Sequence, residues 1–314
     1  MIVEIDDIRA AERRIAGNVR RTPVMQATAL RHGFDGGYDL WLKLELLQAT
    51  GSFKARGATN KLLSLPAEAL ERGIVTASGG NHGLAVARAA KLAGVTATIY
   101  VPENITAAKV EKLKRWGATV EIVGKVWNET NLHALAFAEK NGAAYFHPFA
   151  DAAVMAGQGT AALELLADVP DLDVVLVAIG GGGLVSGMGV AIKALKPAVK
   201  IIGIEPTGSP TLKASLDAGH VVRLPEVTSR IATMSCAETD PRVFDVVRSV
   251  VDDVVLLSDE DMLEASRWLW FELGIAADLS GAAAVAALMT GRVAYAAGTS
   301  VGALVCGAGP EGIS

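Results

Sequence analysis

Short apolar runs rich in β-branched residues alternate along this chain with alanine-rich stretches whose apolar positions recur every three or four residues. The runs are LWLKLE (40–45), GIVTAS (73–78), ATIYVP (97–102), ATVEIV (118–123), AAYFHPF (143–149), VVLVAIG (174–180), KIIGIEP (200–206), VVLLS (254–258) and GALVCG (302–307). Each has the length and composition of a buried strand. Segments between them, such as 84–93 and 160–168, carry helical spacing. The alternation predicts an α/β protein with parallel-type twisted sheets covered by helices on both faces. The first residues, MIVEIDDIRAAERRIAG, interleave charges with apolar positions and predict an amphipathic helix instead of a leader. Internal repeats and low-complexity linkers are absent from the sequence, and HPFAD (147–151) breaks the rhythm where a domain boundary near residue 150 is expected.

Composition narrows the class. With 314 residues, 51% of them hydrophobic and 20% charged, the chain can bury a large core, and wholesale disorder is excluded. A net charge of −5 without a basic block, together with 5% aromatics, excludes a nucleic-acid partner. Every apolar stretch falls short of the ~20 residues that span a bilayer, so no membrane partner is expected. Cys236 and Cys306 are too few for a disulfide framework and too far from paired ligands for zinc. They predict a reducing compartment, the cytoplasm. The five histidines, at 32, 82, 133, 147 and 220, show no metal-ligand spacing.

Two strand-to-helix junctions carry candidate chemistry. SGGNHG (78–83) precedes the helical run LAVARAAKLAG, which Gly94 is placed to close, and GGGG (180–183) precedes LVSGMGVAIKAL. Glycines at such turns let backbone N–H groups approach a ligand, and the helix N-terminus behind them favours an anion. Neither is followed by the Lys-Ser/Thr of a phosphate-binding nucleotide loop, and the second lacks the spacing of a dinucleotide fingerprint. GTSVG (298–302) matches the nucleophile pattern G-x-S-x-G, but its strand follows the serine where an elbow needs it before, so Ser300 is not expected to be a nucleophile.

Lys54 in TGSFKARGA, then SGGNHGLA, AGQGT (156–160), GGGGL and GIEP occur in a set order. That order resembles the pyridoxal-phosphate enzymes of the tryptophan-synthase β fold, in the branch of threonine and serine dehydratases and serine racemases, from RTPV (21–24) to VCGAG (305–309). The resemblance implies that Lys54 is the Schiff-base lysine and catalytic base, that Phe53 flanks the cofactor ring, and that Asn81 bonds the ring hydroxyl. Gly180, Gly181, Gly182, Gly183 and Leu184 would cup the pyridoxal 5'-phosphate phosphate. Ser78, Gly79, Asn81 and His82 would surround the substrate carboxylate. Cys306 would lie beside the pyridine nitrogen, where a thiol, unlike an aspartate, does not hold the ring protonated. It further implies a large cofactor-binding domain (1–68 and 151–314), a small mobile domain (69–150), and a homodimer or other homo-oligomer. The implied activity is that of an ammonia-lyase converting a 3-hydroxy L-amino acid to a 2-oxo acid and ammonia. Racemisation or β-replacement is the alternative.

The sequence also departs from the family pattern. Met234 replaces a glycine in SRIATMSCAE (229–238), while Asp278 and Leu279 stand where Glu-Pro is usual. These changes reshape the pocket walls and leave room for a substrate bulkier than threonine or serine. Six residues after Glu205, Thr211 stands where a racemase-type metal site needs an acid, so no metal is expected.

Overall fold

Strand-forming runs pair into two sheets in the computed structural model, which describes residues 2–34 and 37–313. The strands are β1 (Val24–Gln26), β2 (Asp39–Lys43), β3 (Ile74–Ala77), β4 (Ala97–Val101), β5 (Thr119–Ile122), β6 (Ala144–Tyr145), β7 (Val174–Ala178), β8 (Lys200–Pro206), β9 (Asp253–Leu257) and β10 (Ser300–Leu304). One sheet runs β1-β2-β10-β7-β8-β9 and the other β5-β4-β3-β6. All pairings are parallel except β1 with β2. The strands of the smaller sheet lie between residues 74 and 145, and those of the larger sheet flank them in sequence.

The α-helices are α1 (Ile5–Ile15), α2 (Lys54–Ser64), α3 (Ala67–Leu70), α4 (Asn81–Ala93), α5 (Ala107–Arg115), α6 (Trp127–Asn141), α7 (Ala152–Asp168), α8 (Gly183–Leu195), α9 (Thr211–Ala218), α10 (Pro241–Val250), α11 (Asp259–Leu273) and α12 (Leu279–Met289). Helices cover the larger sheet so fully that every residue of β7 is buried, which is why its sequence reads as an unbroken apolar run. On α1 the buried residues are Ile8, Ala11 and Ile15, the stripe expected of an amphipathic helix. Gly94 ends α4 in the left-handed conformation, and the Val95 N–H reaches back to the Ala90 carbonyl at 2.9 Å. Among the described residues no helix is long and apolar enough to cross a membrane.

Three expectations need correction. β1 is too short and too half-buried to leave a periodic signal. β6 ends at Tyr145 instead of Phe149, because Pro148 has no N–H and the His147 ring Nδ1 accepts the Phe149 and Ala150 N–H groups at 3.2 and 2.8 Å, closing a turn. β10 begins at Ser300 and leaves the ladder at Val305, whose carbonyl takes the Leu46 N–H instead. Ser300 thus sits at the start of a strand, as its context foretold.

Candidate functional site

Both glycine junctions open at the carboxyl ends of parallel strands, where open α/β sheets bind ligands. Ile179–Gly182 links β7 to α8, and Gly182 has φ +92, a backbone that favours glycine. No side chain caps α8, so its first-turn N–H groups stay free for an anion. The loop is also closed to side chains. A Cβ on Gly181 would lie within 2.3 to 2.5 Å of three Phe149 ring carbons, and one on Gly183 would lie 2.7 Å from the Phe149 carbonyl oxygen. On the other side, a Cβ on Gly180 would lie 3.0 Å from the Thr233 carbonyl and 3.2 Å from Met234 Cα. The Thr239 hydroxyl ties the loop down by donating to the Gly181 carbonyl at 3.0 Å.

Lys54 is the first residue of α2. Its Nζ donates to the Pro148 carbonyl at 2.7 Å and lies 5.1 Å from the centre of the Phe53 ring. Pro148 and Phe149 are adjacent, so one dipeptide holds the lysine amine with its carbonyl and the glycine loop with its ring. Among the described residues no carboxylate pairs with Lys54. Desolvation lowers its pKa from 10.5 to about 8, against a small opposing pull from Cys306 and Cys236. The Phe53 N–H donates to the Cys306 carbonyl at 3.2 Å, which stitches the lysine turn to the chain leaving β10.

Cys306 is buried, and its thiol contacts the Ser280 hydroxyl at 3.7 Å. Burial, reinforced by Asp278, raises its pKa and keeps the thiol protonated. Ser280 Oγ donates to Asp278 Oδ1 at 2.7 Å, and Asn81 Nδ2 donates to Asp278 Oδ2 at 3.3 Å. The wall therefore runs unbroken from Cys306 to Asn81. Burial raises the Asp278 pKa, while three donors pull it back.

Asn81 and His82 open α4, which likewise has no side-chain cap. The buried His82 ring sets Nε2 3.1 Å from the Phe146 carbonyl and leaves Nδ1 without a partner. Desolvation, then repulsion from Lys54, lowers its pKa well below the ordinary value, so the ring is neutral with its proton on Nε2. Ser78 Oγ accepts the Gly80 N–H at 3.3 Å. A Cβ on Gly79 would meet only the terminal methyl of Ile105 closely, at 2.7 Å.

Direct contacts thus tie the anticipated residues of α2, α4 and the β7–α8 loop to the 146–149 turn and to the chain leaving β10. Those that sequence reasoning missed are Pro148, Phe149 and Thr239, which act through a carbonyl, a ring and a hydroxyl; the HPFAD break was the only signal of the first two, and Thr239 left none. Glu205 is occupied in accepting the Leu212 and Lys213 N–H groups at the start of α9, both at 2.8 Å, and the Thr211 hydroxyl donates to the Cys236 carbonyl. The pieces fit pyridoxal phosphate: a half-buried amine poised near neutrality, a side-chain-free cradle with bare amides for a phosphate, and a second bare helix N-terminus for a carboxylate.

Comparison with known proteins agrees. The sequence profile of the family described as pyridoxal-phosphate dependent enzyme matches residues 15–307. The chain is 38% identical to the L-threonine ammonia-lyase of Thermotoga maritima over 288 residues, 92% of this chain and 71% of that protein. Its structure is similar to that of maize serine racemase, with a TM-score of 0.93, 35% identity, and 98% and 94% of the two chains covered. A threonine deaminase from T.th. is also similar, with a TM-score of 0.90, 36% identity, and 97% and 98% covered.

Proposed function

The chain belongs to the pyridoxal-phosphate dependent enzymes, and from that premise we propose that it is an ammonia-lyase for a 3-hydroxy L-amino acid, threonine, serine or a bulkier analogue, releasing a 2-oxo acid and ammonia. That it is a pyridoxal-phosphate-dependent lyase follows from the family and from the 38% identity to threonine ammonia-lyase. The substrate and the preference for elimination are the new part.

One observation carries that preference. Racemisation needs an acid/base group on each face of a planar intermediate, and a single lysine serves one face. In the serine racemases that the chain resembles, a serine two positions before the loop asparagine serves the opposite face. Here that position is Gly79, which has no side chain, and the neighbouring Ser78 hydroxyl accepts the Gly80 N–H at 3.3 Å, which turns its oxygen towards the loop backbone. The position that carries the second acid/base group in serine racemases therefore has no side chain to deliver a proton here.

When bound, pyridoxal phosphate supplies the electron sink for charge developing at the substrate α-carbon. The chain supplies the rest. The bare amides of Gly183 and Leu184 bind the phosphate at the α8 N-terminus. The Asn81 and His82 amides bind the substrate carboxylate at the α4 N-terminus, and the neutral His82 ring adds no competing charge. Asp278 holds the Asn81 amide at 3.3 Å, from where it would serve the ring hydroxyl of the bound cofactor. Lys54 Nζ, tethered by the Pro148 carbonyl and titrating near pH 8, takes the α-proton. Cys306, buried and protonated, would give the ring nitrogen of the bound cofactor only a weakly polar partner, unlike an aspartate. Met234 and Asp278 line the walls that decide how large the substrate side chain can be. Two unpaired thiols suit the cytoplasm as its location.

The test runs L-serine and L-threonine in deuterium oxide, following ammonia, 2-oxo acid and, by chiral assay, D-serine and D-allo-threonine. Oxo acid with little inverted amino acid is expected. Inverted product at a rate matching oxo-acid release would overturn the assignment.

A further inference from the structure

The AGQGT motif of 156–160 lies inside α7 and touches neither junction, so its role in the site is indirect. Gly157 and Gly159 are two residues apart on a helix of 3.6 residues per turn, which places them on nearly opposite faces. A Cβ on Gly157 would lie 2.6 Å from Gly57 Cα and 2.7 Å from the Arg56 carbonyl, both backbone of α2. A Cβ on Gly159 would lie 2.7 Å from the Gly187 carbonyl of α8, and one on Gly187 would collide with the Met155 carbonyl and lie 2.8 Å from Gly159 N. Backbone rests on backbone at both crossings. Gly57 follows Lys54 by three residues and Gly187 follows Gly183 by four. Each crossing therefore sits about one turn, roughly 5 Å, inside a helix whose first residue belongs to the site.

Polar contacts lock the α2 crossing. The buried Gln158 accepts the Gly57 N–H at 3.2 Å through Oε1. Thr160 Oγ1 accepts from Arg56 Nη1 at 3.1 Å, and Glu164 takes both Arg56 terminal nitrogens at 2.7 Å. Successive turns of α7 thus grip the residues just after Lys54.

We propose that α7 is a spacer whose two glycine crossings fix the separation between the Lys54 amine and the Gly180–Gly183 loop, making Gly57, Gly157, Gly159 and Gly187 positioning residues of the catalytic centre. The proposal rests on the reading that the lysine and the loop hold opposite ends of one cofactor. Carbon atoms settle at about 3.5–4.0 Å, so a methyl group at a crossing now near 2.7 Å moves one helix by about 1 Å. A misplacement of that size costs about 100-fold in rate.

The test compares Gly157→Ala with Leu165→Ala, a buried core substitution on the same helix that adds no bulk at either crossing. Two quantities are read on each apo-protein. One is affinity for 4'-deoxypyridoxine phosphate, which has the ring and phosphate but no aldehyde. The other is the rate at which pyridoxal phosphate becomes covalently attached to Lys54. G157A should keep its analogue affinity within about threefold while attachment slows about 100-fold, and L165A should lose stability without that split. Parallel changes in both variants, or an unchanged attachment rate in G157A, would overturn the proposal. If G157A does not fold, Gly159→Ala, which adds the same bulk at the α8 crossing, is judged by the same outcomes. Wild-type protein that attaches the cofactor elsewhere than Lys54 would instead refute the functional reading beneath it.

Discussion

Burial alone should make Lys54 far more reactive near neutral pH than the exposed lysines of the apo-protein. Its pKa of about 8 leaves about a tenth of the amine neutral at pH 7, against about three parts in ten thousand at the ordinary 10.5, a difference of about 300-fold. The cause is desolvation against the Phe53 ring and the Pro148 turn with no carboxylate to offset it. The assay is acetylation of cofactor-free protein by a small activated ester, read lysine by lysine by mass spectrometry. Exposed Lys112 and Lys114 of α5 serve as internal references. Modification of Lys54 should rise about tenfold from pH 7 and level off with a midpoint near 8. The same shift has a stability sign. Below pH 8 folded and unfolded lysines are both protonated and the burial penalty is complete; it is relieved as pH rises from about 8 to about 10.5. Wild-type apo-protein should therefore gain up to about 3 kcal/mol over that window relative to Lys54→Met. A Lys54 midpoint no lower than that of the reference lysines would refute the reasoning, because it would mean that water reaches the amine as freely as it reaches a surface side chain.

Three more outcomes can be checked. Cys306→Ser should retain most of the lyase activity, whereas Cys306→Asp should favour a protonated ring and slow elimination; equal, complete loss in both variants would point to an essential thiol. Arg56→Met strands the buried Glu45 carboxylate, which Arg56 holds at 2.8 Å through both Nε and Nη2, and should cost about 3–5 kcal/mol in denaturant unfolding; a loss below about 1 kcal/mol would mean that Lys43 and Thr22 compensate. Residues 69–150, proposed as a mobile domain, should exchange amide hydrogens more slowly under a saturating substrate analogue as the α4 N-terminus captures the carboxylate, and unchanged exchange would count against closure.

Most of the sheet architecture was legible because fully covered parallel strands must be apolar on both faces. VVLVAIG and KIIGIEP advertise β7 and β8 without reference to anything distant. β1 was illegible for the converse reason: three half-buried residues that pair antiparallel at an edge have no composition to betray them. In the cleft, Lys54 and the two glycine junctions could be read from motif order. The Asn81–Asp278 bond spans 197 residues and could not. Nor could the Pro148 carbonyl, since a backbone acceptor looks the same beside any side chain. Phe149 was hidden similarly, because what matters is which glycine its ring covers.

Glycine does three physically different things here, and only the structure separates them. At Gly182 it supplies a left-handed φ, so any side chain is strained wherever it points. At Gly181 and Gly183 it lets Phe149 close over the loop, so the objection to a side chain is the ring and carbonyl above it. At Gly157 it lets one helix backbone rest on another, far from any ligand. A glycine-to-alanine change at these positions should fail in three different ways: by backbone strain, by opening the cradle, and by displacing the lysine from an otherwise intact cup. Sequence presents all three as the same letter near a strand end or within a helix. The distances to Phe149 and Gly57 are what turn that letter into separable chemistry, and they place the control of Lys54 partly in a helix that touches no substrate.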